Sequence, residues 1–228
     1  MSEDDGLRRA AEVMHAVRQR CAWSRTITHD DLVPYLVEES AELIDAVEEG
    51  SRPDLREELG DLLWQVLFHA EIASEDPADP FDIDDVAAAL AEKMRRRHPH
   101  VFGDAVAATP EEVLVHWNAA KAAEKSERTS VLDGVSERMP ALALAQKMLG
   151  KAERVPGLTP PAVAPAAVSP PSTEAELGDA LLALVGRARA EGWDADRALR
   201  GALRRLGEEI RFAERAERDG AGREDLGR

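Results

Sequence analysis

The chain has 228 residues, with 29 basic and 45 acidic side chains and a formal net charge of −16. That balance excludes a protein whose main partner is a nucleic-acid backbone, because such proteins need a footprint of Lys and Arg; it leaves room for a free nucleotide held by a metal and a few local cations. The single cysteine, Cys21, excludes an internal disulfide and suits a reducing compartment. The opening MSEDDGLRRA has no apolar run, and no stretch approaches the ~20 apolar residues of a membrane span, so cytoplasm is the expected location and no membrane partner is expected.

Strand signals are scarce, and Ala, Leu, Glu and Arg dominate, so the expected class is all-α. Residues 5–20 read as a first helix with Leu7, Ala10, Val13, Met14 and Val17 on one face. A loop follows at 21–29, in which Trp23 is a core anchor or a plate for a base. The next helix spans 31–49, capped by Asp30 or Asp31, with Pro34 in its first turn. A turn at Gly50–Pro53 leads to a third helix at about 53–74, ended ahead of Asp76-Pro77.

These two helices carry acids in unusual places. On the first, the apolar stripe runs Leu32, Leu36, Leu43, Val47; Glu39 falls between Leu36 and Leu43, and Glu42 lies three residues on. On the second, Glu58 sits between Leu55 and Leu62, with Asp61 at i+3. Carboxylates three apart on a helix are neighbours, so two facing pairs gather four carboxylates round one point. Bare buried carboxylates are costly, and a hard dication with oxygen ligands removes the cost. The plainer alternative is a solvated acidic face, the better reading of any one of these acids alone and the weaker one for both pairs flanking apolar stripes. The apolar set Leu55, Leu59, Leu62, Leu63, Val66, Leu67 and Ala70, extended by Trp64 and Phe68, is broader than one partner needs and suggests packing on two sides or a dimer interface.

A fourth helix at about 82–97 turns Ile83, Val86, Leu90 and Met94 inward, with Lys93 and Arg97 at the edge of that stripe. They are snorkelling surface cations or phosphate ligands. Thr109-Pro110-Glu111-Glu112 is a helix start with a capping box, and Trp117 and Lys121 share a face of the helix that follows. Residues 126–138 read as loop and 139–153 as a short helix. Residues 156–173 hold six prolines and no charge, and read as a linker. Beyond it ELGDALLAL at 176–184 echoes ELGDLLWQV at 58–66, an internal repeat. The second copy keeps Glu176 and Asp179 but lacks the acidic helix that should precede them. Arg205 stands where Lys93 does and Glu209 where Arg97 does, so no metal site is expected there.

Glu38-Glu39-x-x-Glu42 followed by Glu58-x-x-Asp61 resembles the EExxE…ExxD signature of the MazG-type nucleoside triphosphate pyrophosphohydrolases. So does the wider text: CAW at 21–23, PYLVEES at 34–40, DLREELGDLL at 54–63, RRRHPHVFGD at 95–104, Trp117 with Lys121, and MPALALAQK at 139–147. Around Trp23 the family usually has Pro and an acid where Ala22 and Ser24 stand here. The resemblance implies hydrolysis of a nucleoside triphosphate between its α and β phosphates. Glu39, Glu42, Glu58 and Asp61 would hold Mg²⁺ (or Mn²⁺), Lys93, Arg97 and Lys121 would meet phosphates, Trp117 would approach the nucleotide, and Glu38 would orient or deprotonate the attacking water. The expected architecture is a MazG-like helical bundle intertwined with a second copy, in three parts: an active domain at 1–155, the linker at 156–173, and a degenerate helical repeat at 174–228. All activity is expected in 1–125. Two other readings are a carboxylate-bridged di-iron bundle, which needs two Glu-x-x-His motifs where only Glu12-x-x-His15 occurs, and a non-catalytic helical interaction protein.

Overall fold

The structure, a computed structural model, describes residues 5–124, 130–153, 155 and 171–224, with side chains as far as residue 209. Among the described residues all regular structure is helical: α1 (Gly6–Arg20), a 3₁₀ turn (Ser24–Thr26), α2 (His29–Glu48), α3 (Arg52–Ser74), α4 (Ile83–Arg97), α5 (Pro99–Phe102), α6 (Pro110–Ala123), α7 (Ala141–Ala152), α8 (Glu174–Ala190) and α9 (Ala195–Glu224). The fold is all-α. No helix among the described residues is long and apolar enough to cross a membrane. The chain divides into two compact units, Met1–Glu124 and Lys125–Arg228. The first domain expected from the sequence extends to 155, but α7 packs on α8 and α9 and falls within the second unit. Most of the expected linker lies outside the described residues.

The first unit is built on the α2–α3 hairpin. Its three-residue connection, Glu49 to Ser51, forces the helices antiparallel. Gly50 is required at the turn, because a Cβ there would lie 2.6 Å from Ala46 Cα, against backbone that cannot yield. Ser51 caps α3 and exchanges bonds with Asp54, the reciprocal arrangement that satisfies two orphan amides. At the other end of the hairpin the cap differs from expectation. Thr28, not Asp30 or Asp31, caps α2, and Asp31 is its reciprocal partner three residues in. The helix therefore starts earlier, and Pro34 lies inside it rather than in its first turn. There its missing N–H and its ring cost the backbone a bond that the first turn would not have lost.

Met14 of α1, Leu32 of α2, and Leu67 and Phe68 of α3 form the buried centre, with Ala10, Ala11, Ile27, Leu63, Trp64, Ile72 and Ile83 packed around it. Arg18 ties this centre to the loop after α1. It is 5% exposed, pairs with Glu75 (Nη2 to Oε2, 2.6 Å; Nε to Oε1, 2.9 Å) and donates to the Ser24 and Ile27 carbonyls. That fixes the loop in which Trp23 sets edge contacts on both Tyr35 and Phe68 at 6.2 Å while leaving about half its surface in solvent. Trp23 is thus an anchor on one side and open on the other.

The rest of the apolar stripes is not buried within one chain. Leu7 and Val13 of α1, Leu36 and Val47 of α2, Leu59 and Val66 of α3 and Leu90 of α4 are all exposed. The stripes that the sequence turns inward exceed what the first unit can cover by itself.

In the second unit, Leu149 of α7 and Val185 of α8 are buried and an Arg189–Glu153 pair at 2.7 Å joins the two helices. The α8 helix ends on Gly192 at φ +72°, with Gly192 N–H bonded to Arg189 O and Trp193 N–H to Ala188 O. That left-handed cap favours glycine and turns the chain into α9.

Candidate active site

Glu39 of α2 faces Asp61 of α3 across the antiparallel hairpin, and Glu42 faces Glu58 one turn further toward the Gly50 connection. The pairing shows in the electrostatics. Partial burial raises the Glu39 carboxyl above its usual range, with Asp61 the strongest charged contributor; burial likewise raises Glu58, with Glu42 first among its charged neighbours. Glu39, Glu58 and Asp61 each offer an oxygen within 4.8 Å of the others. Glu42 is not one of that group, but its charge is felt at both Glu39 and Glu58. Glu38 is exposed, on another side of α2 from the cluster, and adds to the negative potential at Glu39.

Whether these residues suit a divalent cation is tested by Glu58. Its Oε2 is buried with no hydrogen-bond partner, beside other carboxylates. A lone buried carboxylate oxygen is costly, and a hard dication with oxygen ligands resolves it. The donor set is all oxygen and fits Mg²⁺ or Mn²⁺. No histidine belongs to it: His15, in the only Glu-x-x-His motif, is exposed and bonded to Glu71 at 3.0 Å, which removes the di-iron reading.

Gln65 was not singled out in the sequence. It is 3% exposed, its side chain lies beside Glu39 and offsets part of the rise in that carboxyl, and its Oε1 is buried with no partner. The signal was there: Gln65 follows Asp61 by four residues and Glu58 by seven, which puts all three on one face of α3.

The cations lie on the next elements. Lys93 is half-buried on α4. Arg97 is held at the end of the same helix: Nε and Nη2 donate to Glu124 at 3.1 and 2.5 Å, and its guanidinium lies 4.9 Å over the Trp117 ring of α6. Arg96 also reaches Glu124, at 3.5 Å, and Arg95 lies over Phe102. Thus Arg97 and Trp117 are brought together, and Glu124 is the partner that sequence reasoning missed, since nothing in a separation of 27 residues marks an ion pair. Lys121 is half-buried, one turn on from Trp117. Thr109 caps α6 as expected, but Glu112 reaches back past it to the Ala108 N–H.

Comparison with known proteins gives the family. A model of the MazG nucleotide pyrophosphohydrolase domain matches residues 27–102, which span α2 to α5 and contain the carboxylates, Gln65, Lys93 and Arg97. A 26.1 kDa protein of Streptomyces cacaoi is 50% identical over 203 residues, covering 89% of this chain and 80% of that one. The nucleoside triphosphate pyrophosphohydrolase of Escherichia coli K12 is 34% identical over 235 residues (94% and 88% covered), and the nucleoside triphosphate pyrophosphohydrolase/pyrophosphatase MazG of Thermotoga maritima is 39% identical over 220 (90% and 84%). The chain belongs to the MazG family.

Proposed function

We propose that the protein is a Mg²⁺-dependent nucleoside triphosphate pyrophosphohydrolase that cleaves between the α and β phosphates, giving a nucleoside monophosphate and pyrophosphate. The observation that carries this reading is the group of Glu39, Glu58 and Asp61, one of whose oxygens is buried without a partner. Similarity to relatives named for that activity supports it.

Glu39, Glu58 and Asp61 would hold the ion, with Glu42 alongside. A bound dication supplies charge neutralisation, for the carboxylates and for the pyrophosphate as it leaves. Lys93 and Lys121 offer ammonium groups to the triphosphate. Arg97 has Nη1 left for a phosphate oxygen while Glu124 engages its other two nitrogens and Trp117 sets its plane. Glu38 takes the proton of the attacking water; the water oxygen bonds to the α phosphorus as the bond to the bridging oxygen breaks. Nothing in the site offers a covalent nucleophile in place of water.

The active form is a homodimer. Leu36, Val47, Leu59, Val66 and Leu90 leave apolar stripes uncovered in the unit that carries the site, and a second copy is a partner of matching chemistry. Elution as a stable monomer at micromolar concentration would count against this. The activity is tested with a panel of nucleoside triphosphates and Mg²⁺ or Mn²⁺, reading monophosphate and pyrophosphate together. Equal amounts of the two are expected; orthophosphate as the first product would move cleavage to another bond.

A further inference from the structure

We propose that Gln65 is a positioning residue of the cation site, its amide N–H fixing the Glu39 carboxylate and its carbonyl oxygen giving the same divalent ion a neutral oxygen donor. This rests on reading Glu39, Glu58 and Asp61 as that ion's ligands.

Three observations carry it. Gln65 is almost completely buried, in a helix whose neighbouring positions Leu67 and Phe68 form the apolar centre. An apolar side chain of similar length would be the cheaper occupant. The amide lies beside Glu39, and because a carboxylate only accepts, the end that can serve Glu39 is the N–H. The other end, Oε1, is buried with no partner. The two ends share one carbon, so the unpaired oxygen lies within a few ångströms of Glu39. A carbonyl oxygen beside carboxylates is repelled by them, and a positive centre among them reverses the sign. Backbone and amide carbonyls are ordinary ligands of hard dications, and groups that orient a ligating side chain control affinity as the ligands do.

The internal repeat gives an independent comparison. Aligning ELGDLLWQ at 58–65 with ELGDALLA at 176–183 places Ala183 opposite Gln65. The copy without the acidic helix has also dispensed with the amide.

The test uses the full chain and Mn²⁺, counted by its free-ion electron paramagnetic resonance signal, together with melting in EDTA. Gln65→Met should melt in EDTA no lower than the wild type and bind Mn²⁺ about tenfold to a hundredfold more weakly. Gln65→Glu, isosteric, should melt lower in EDTA and gain more than the wild type on adding Mn²⁺, since its new carboxylate would face the ion. Wild-type affinity in Gln65→Met, or a wild-type Mn²⁺ gain in Gln65→Glu, would overturn the proposal. Glu58→Gln separates the two levels. If it abolishes Mn²⁺ binding while Gln65→Met leaves binding intact, only the role of Gln65 fails. If Glu58→Gln still binds Mn²⁺ normally, the cation site itself fails, and the role of Gln65 with it.

Discussion

The ELGD motif occurs twice in this molecule, at 58–61 and 176–179, with two fates. In α3, Glu58 lies in the body of the helix, opposite Glu42 of α2; one of its oxygens is buried without a partner, and burial and like charge raise its carboxyl above the usual range. In α8, Glu176 lies in the first turn, accepts from the Ser172 N–H and hydroxyl at 2.7 Å each, and is held below that range by those bonds. One glutamate keeps a buried oxygen without a partner; its counterpart is a bonded residue of a helix start. The difference comes from what precedes each helix. Where an acidic helix packs antiparallel, the motif joins a carboxylate cluster; where proline-rich chain comes before, it becomes a helix start.

The sharpest way to break that contrast is to exchange one oxygen for an amide nitrogen in each copy. Glu58→Gln should lower Mg²⁺-dependent turnover by on the order of a thousandfold, the several kcal/mol that a positioned metal gives a phosphoryl transfer. Glu176→Gln should leave turnover unchanged. Equal losses in both would end the distinction.

A smaller loss is expected on the cationic side, where the first unit has Arg97 and the second has Glu209. Arg97→Ala should raise KM about tenfold to a hundredfold, the worth of a charged hydrogen bond to phosphate. Arg97→Lys should restore little, because the bond to Glu124 and the stack on Trp117 need a planar fork.

Stability offers a test away from the chemistry. Arg18→Met leaves the Ser24 and Ile27 carbonyls and Glu75 without their donor, and should cost about 3 kcal/mol in a denaturant melt. The second unit should keep its own transition, since Arg18 belongs to the first unit's core.

The smallest effect is a pH dependence. Glu39 and Glu58 hold their protons more tightly folded than unfolded, so the folded chain binds more protons just above the usual carboxylate range. Stability at these groups is therefore present in acid and lost as pH rises through the raised values. In EDTA, the melting point of Glu58→Gln should gain on the wild type as pH rises above the usual carboxylate range, through the raised values. Glu176→Gln should lose ground to the wild type as pH rises from acid toward the ordinary glutamate value and run parallel to it above that, because the bonds of Glu176 lower its carboxyl. Excess Mg²⁺ should remove the first trend and leave the second.

Much of this was legible in the sequence because its signals are local. The i, i+3 acid pairs, the turn at Gly50–Pro53 and the Thr109-Pro110 helix start depend on neighbours within one turn. What was not legible depends on distance or on a second body. Thr28 displaced Asp30 and Asp31 as cap because each of the three can accept such a bond, and only the backbone decides. Glu124 meets Arg97 across 27 residues. Gln65 reads as one more polar residue until its burial is known. The apolar stripes marked Leu36, Val47 and Leu59 as buried, whereas one chain alone leaves them exposed.

The most direct check is a calorimetric Mg²⁺ titration of the full chain with Glu58→Gln and Glu176→Gln beside it. Saturable binding in the wild type and Glu176→Gln, and none in Glu58→Gln, is what α3 and α8 predict. Binding that survives in Glu58→Gln, or disappears in Glu176→Gln, would contradict it.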